Sequence, residues 1–255
     1  MQREEFIQQL WLDYMHTHPD LGALRLWPLN APAEYLTLVT LNHGPFSANA
    51  LGVKLAHMGY RSAGHYAMAD KGLLIHLLAP SDHGSWLVLA ELQLGTLSKL
   101  PREALSGLVS KSHPEDCKGH NLLCRGRPWP MPSWELYQQL QAAHPLAAWL
   151  SVMGPRLHHA GFDCTALGNP LETLDTQLIA SGMPSIESQQ NGVFPVSSLL
   201  HHRFYPSMSQ KIAFSNGDEH RLCLGGLALT QKRLDDDHER IAEILLPYHT
   251  RCEMA

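Results

Sequence analysis

GPRLHHAGF, residues 154–162, is the stretch on which the fold turns. Leu157, Ala160 and Phe162 give it the apolar content of a strand over 155–163, and successive strand residues point to opposite faces. One of the adjacent histidines, His158 or His159, is therefore expected to face the interior and the other to face out. Upstream, YLTLVTLNH (35–43) reads as a second strand of the same kind, β-branched and alternating.

Each of these strands is followed by the same series of elements. After the first, Ser47 is expected to cap a helix reaching about Met58, with Leu51, Val53, Leu55 and Met58 as its apolar positions and Gly59 as its stop. Strand-like runs then lie at 65–70 and 72–79, split by a turn at Asp70-Lys71-Gly72, and at 85–94 (SWLVLAELQL). After the second, a helix over 170–181 ends at Gly182. Strand-like runs follow at 192–200, 210–215 and 220–229, with a tight turn over residues 215–218. The chain thus repeats a βαβββ order, and the repeat predicts two modules side by side around a cleft.

One domain of α+β class is expected: two βαβββ modules forming a curved mixed sheet, helices outside. Its parts are an N-terminal helix (1–30), module one (35–97), an insertion (98–150), module two (151–232) and a C-terminal helix (233–255). Within the insertion, helical patterns at 101–110 and 133–151 flank RGRPWPMP (125–132), which its prolines keep irregular.

Composition excludes several classes. The net charge of −5 leaves no basic footprint for nucleic acid, and Asp235–Asp237 is too short for an interaction tail. The N-terminus is charged where a signal peptide needs an apolar core, and no apolar run approaches the roughly 20 residues of a membrane helix. A soluble cytoplasmic protein is expected. Five cysteines, an odd number with no CxxC pair, argue against a disulfide framework or a zinc knuckle. No GxSxG elbow, phosphate loop or dinucleotide fingerprint occurs.

The histidines carry the candidate chemistry. His43 ends the first strand of module one and His159 lies on the first strand of module two. Pseudo-symmetry is expected to set them across the cleft from each other, where two neutral imidazoles suit a divalent metal. Glu91, charged within LVLAELQL, is the first candidate for the carboxylate of a two-His-one-carboxylate face, a setting suited to iron(II) with open positions. A salt bridge or an edge position is the structural alternative for Glu91. HPEDCKGHNLLC (113–124) has zinc-like spacing from Cys117 to His120 and Cys124 but no second matching pair. In HHRFYP (201–206), His202 is read as capping the outer face of the sheet.

Several stretches resemble the 2-oxoadipate dioxygenase/decarboxylase family, once a family of unknown function and related to the vicinal-oxygen-chelate, glyoxalase-like superfamily. They are LNHGPFS, MGYRSAGHY, SWLVLAELQL, GPRLHH and FSNGDEHRL with GLALTQK, in order over about residues 35–235. The resemblance implies a metal, iron(II), held by two histidines and a glutamate. It matches His43 to the first histidine and His159, in a Gly-Pro-x-x-x-His pattern, to the second, so His159 is expected to face in and His158 out. Two departures stand out. The family arginine that would clamp a substrate carboxylate is Ser47 here. The family glutamate falls at Cys223 or Gly226, so the third ligand is Glu91, Cys223 or none. Arg156 and Arg203 are the substitute anchors for a substrate acid.

The leading expectation is an iron(II)-dependent dioxygenase/decarboxylase-like enzyme acting on a small 2-oxo acid. The alternatives are a metal-free small-molecule binding or interaction protein on the same scaffold, or a metal-dependent hydrolase or isomerase.

Overall fold

YLTLVTL is buried at all seven of its positions, which suits a strand covered on both faces. In the computed structural model it lies at the centre of the molecule. The structure describes residues 2–23, 33–82, 84–119, 122–183, 194–197 and 200–232. The chain enters through helices α1 (Arg3–Thr17) and α2 (Pro19–Ala23). Module one is β1 (Tyr35–Leu41), α3 (Ala48–His57), β2 (Tyr60–Met68), β3 (Leu73–Pro80) and β4 (Trp86–Leu92). Helices α4 (Lys99–Val109), α5 (Trp134–Ala143) and α6 (Pro145–Met153) follow. Module two is β5 (Arg156–Asp163), α7 (Leu171–Ala180), β6 (Phe194–Ser197), β7 (Leu200–Pro206), a hairpin of β8 (Gln210–Ala213) and β9 (Glu219–Leu222), and β10 (Gly226–Lys232).

Among the described residues, eight strands form one mixed sheet in the order β2-β3-β4-β1-β5-β10-β7-β6. β1 runs parallel to β4, β5 parallel to β10, and β1 meets β5 antiparallel. Reading outward from that central pair gives the same order twice, so the modules are related by an approximate two-fold between β1 and β5. The expected repeat is present, with one correction. The runs at 210–215 and 220–229 do not both join the sheet. The first becomes β8, and the second splits into β9 and β10 at Cys223-Leu224-Gly225. Among the described residues, β8 and β9 pair only with each other. The strand that does join is β7, inside HHRFYP, whose polar start hides its strand character. The C-terminal helix expected over 233–255 lies outside the described residues.

The segment between the modules is more than a linker. The helical pattern over 133–151 breaks at His144-Pro145, because proline cannot donate within a helix and fits its first turn. His144 caps the new helix, its Nδ1 accepting from Leu146 N–H at 3.0 Å. Beyond it, α6 is buried at every position from Leu146 to Met153. Its Trp149 indole donates to the carbonyl of Leu224 at 2.8 Å, tying the insertion to the entry of β10.

The pleat sorts the sheet into two faces. One carries Leu36, Leu38 and Thr40 with their partners Leu87, Leu89 and Glu91, beneath α3. The same face carries Arg203 and Tyr205 in module two, both bonded to Asp175 of α7. The opposite face carries Tyr35, Thr37, His159 and Phe204 across the junction of the modules.

Candidate functional site

The junction is built by a β-bulge. The register between β1 and β5 shifts between Thr37 and Leu38: Thr37 opposes His159 and Leu38 opposes Leu157, so His158 is the extra residue. A bulge breaks the strict alternation of sides. Both imidazoles are consequently buried, His159 wholly and His158 at 8% exposure, and their Nδ1 atoms stand 3.1 Å apart. This overturns the expectation that one of the pair faces out. The bulge is clamped by α1: the Tyr14 hydroxyl accepts from Gly226 N–H at 2.8 Å and lies 3.1 Å from the carbonyl of His158.

His159 is hydrogen-bonded through both ring nitrogens. Its Nε2 is 3.0 Å from the Thr37 hydroxyl and its Nδ1 faces His158. Tyr35 and Phe204 stand edge-on to its ring, with centroids 5.9 and 5.6 Å away. The chain of three groups has two self-consistent proton arrangements. Either Thr37 donates to Nε2 and His159 donates to His158, or both bonds run the other way. Burial holds His158 well below the usual histidine range and pushes His159 down to about 3, so both rings are neutral near pH 7. His18, the residue that ends α1, is buried beside them and also lowered by burial, and it donates from Nδ1 to the carbonyl of Tyr14 at 3.1 Å.

The registers identify the symmetry mate of His159. Glu91 of β4 accepts from the N–H of Ala48, the first residue of α3, at 2.7 Å. Gln231 of β10 accepts from the N–H of Leu171, the first residue of α7, at 2.8 Å. These are the same device in two modules. The offset that carries Glu91 onto Gln231 carries Trp86 onto Gly226. Trp86 pairs with Tyr35 and Gly226 with His159. Tyr35 is therefore the counterpart of His159, and His43 is not.

His43 itself lies past the end of β1, half-buried, preceding the short turn Gly44–Phe46. Thr37 to Leu41 alone spans about 13 Å of strand, so β1 carries His43 away from His159. Glu91 sits on the opposite face of the sheet from His159. Its oxygens are taken by Ala48 N–H and by the Gln93 side-chain amide at 2.6 Å. Ser47 caps α3 as expected, accepting from Ala50 N–H at 3.3 Å. Arg156 is ion-paired with Asp13, and Arg203 with Asp175 at 3.0 Å. Cys223 lies exposed between β9 and β10, where the run over 220–229 is interrupted, with its thiol donating to the Ser207 carbonyl at 3.0 Å. Among the described residues, no three His, Cys, Asp or Glu side chains are grouped to hold an ion.

Among the described residues, the donor set at the junction thus does not fit a two-His-one-carboxylate metal: Thr37 and Tyr35 face His159 from β1, and no carboxylate is grouped with it. The signal that sequence reading missed was the Thr37–His158–His159 chain and its Tyr14 clamp. These depend on a bulge and on a helix about 140 residues away in sequence.

No protein-family model matches the chain, and no curated protein matches its sequence. Solved structures do. A Shewanella frigidimarina protein, provisionally named a hydrolase, shares 21% identity at a TM-score of 0.80, with 90% of this chain and 92% of that one covered. The hydroxyglutarate synthase of Oryza sativa, solved with 2-oxoadipate, shares 17% identity at 0.77, with 89% and 79% covered. A Ralstonia eutropha protein, provisionally placed in the glyoxalase superfamily, shares 17% at 0.73, with 93% and 86% covered. These likenesses establish a common fold.

Proposed function

We propose that this protein binds a small organic molecule at the junction of its two modules without a metal ion there. The observation that carries this reading is the environment of His159, which has a tyrosine as its symmetry mate and both nitrogens bonded to Thr37 and His158. The groups available are neutral imidazoles, the Thr37 hydroxyl and the rings of Tyr35 and Phe204. These buried groups make a polar and aromatic lining, and the two arginines expected as anchors for a substrate acid, Arg156 and Arg203, are already ion-paired.

A second reading is favoured by the fold shared with a hydroxyglutarate synthase in complex with 2-oxoadipate. It is an enzyme that converts a small 2-oxo acid with iron(II), with His159 among the ligands. Elemental analysis separates the two. Protein produced in iron-supplemented medium and the His159→Ala variant are compared for iron per chain, and oxygen uptake is measured with a panel of 2-oxo acids. The metal-independent reading expects no iron that depends on His159, and no oxygen uptake. About one iron per chain that disappears in His159→Ala would replace it with the oxygenase.

A further inference from the structure

A second histidine pair lies away from the junction, on the outer strands of module one. His65 of β2 and His76 of β3 are direct cross-strand partners. Their ring centroids are 4.5 Å apart and their planes nearly perpendicular, at 82°. His76 is buried to 7% exposure, and its Nε2 has no hydrogen-bond partner among the described residues. A buried imidazole nitrogen with nothing to bond is costly unless something else satisfies it. His65 is exposed and hydrogen-bonded to the Ser62 hydroxyl through Nε2 at 3.0 Å, which leaves Nδ1 for another partner.

We propose that His65 and His76 form a two-imidazole site for a borderline divalent ion of the zinc class. Two imidazoles on one ion stand roughly 5 Å apart between centroids, given bonds of about 2 Å, and the observed spacing is close to that. Ser62 is the outer partner that fixes which nitrogen of His65 is free, as metal-bound histidines require. Glu91 lies diagonally across the strand pair, opposite Leu74, on the face His76 occupies. Its carboxylate is committed to Ala48 and Gln93, so it contributes negative field and not a bond. Water completes the coordination, and the edge position of β2 leaves the site open to solvent.

This site is independent of the junction and stands whether or not that reading holds. The test is calorimetric titration of the full chain, freed of metal by chelator, with Zn2+ alone. One equivalent should bind. His65→Ala, at an exposed position, should weaken binding at least about tenfold, while His113→Ala should leave it unchanged. With Cu2+ as a spectroscopic probe, nitrogen coupling from two imidazoles should fall to one in His65→Ala. Zinc binding that is absent, or unaltered in His65→Ala, would overturn the proposal.

Discussion

The two modules repeat one topology but use different chemistry at matching positions. Module one holds the N-terminus of α3 with a carboxylate, Glu91, whereas module two holds α7 with an amide, Gln231. Module one places an indole, Trp86, where module two has Gly226. It places Tyr35 where module two has His159. The backbone solution is shared and the side chains are not, so a residue's job here is read from its place in the repeat. Glu91 shows this best: a charge inside an apolar strand suggests a metal ligand, and its counterpart shows it to be a helix anchor.

The comparison breaks most sharply at Gly226. A Cβ there would run into the Phe204 ring and the carbonyl of Tyr205, whereas Trp86 is accommodated at the matching site. Gly226→Ala is expected to destabilise by about 3 kcal/mol, the range of overpacked cores, in urea unfolding. A change below about 1 kcal/mol would mean that β7 and β10 are less tightly packed than described.

Next comes the pair of anchors. Glu91→Ala removes charge-assisted bonds to Ala48 and Gln93 inside the sheet and should cost about 2–3 kcal/mol. Gln231→Ala removes one neutral bond and should cost about 1 kcal/mol. Equal losses would mean that the charge on Glu91 adds nothing at the helix terminus.

The acid response differs in kind, because it is read as a slope against pH. The folded pKa of His159 lies below its unfolded value near 6.5. Between about pH 6.5 and 3 the unfolded chain therefore binds more protons, and stability is lost as pH falls. The limiting slope from this one group is about 1.4 kcal/mol per pH unit. His158 and His18 shift in the same direction. His159→Phe should flatten the slope, and an unchanged slope would assign the acid response elsewhere.

Much of this architecture was legible in the residues. The alternation of YLTLVTL, the Ser47 cap and the prolines of RGRPWPMP each report local backbone preference, which acts within a few residues. The repeated βαβββ order was legible for the same reason. The strand in HHRFYP was not, because its pairing with β10 and not its own composition makes it a strand. The site was only half legible. His159 does point inward, but equating it with His43 relied on a motif eight residues from the true counterpart.

By itself the sequence determined most of the helices and strands, the recurrence of the βαβββ order, and which residues are apolar enough to fill a core. Only the tertiary structure decided which histidines share a surface. One extra residue at a bulge turns His158 inward, and strand register places Thr37 and Tyr35, not a second histidine, against His159. Register is a long-range choice, settled by packing across the whole sheet, and a single residue of slip reassigns every facing side chain.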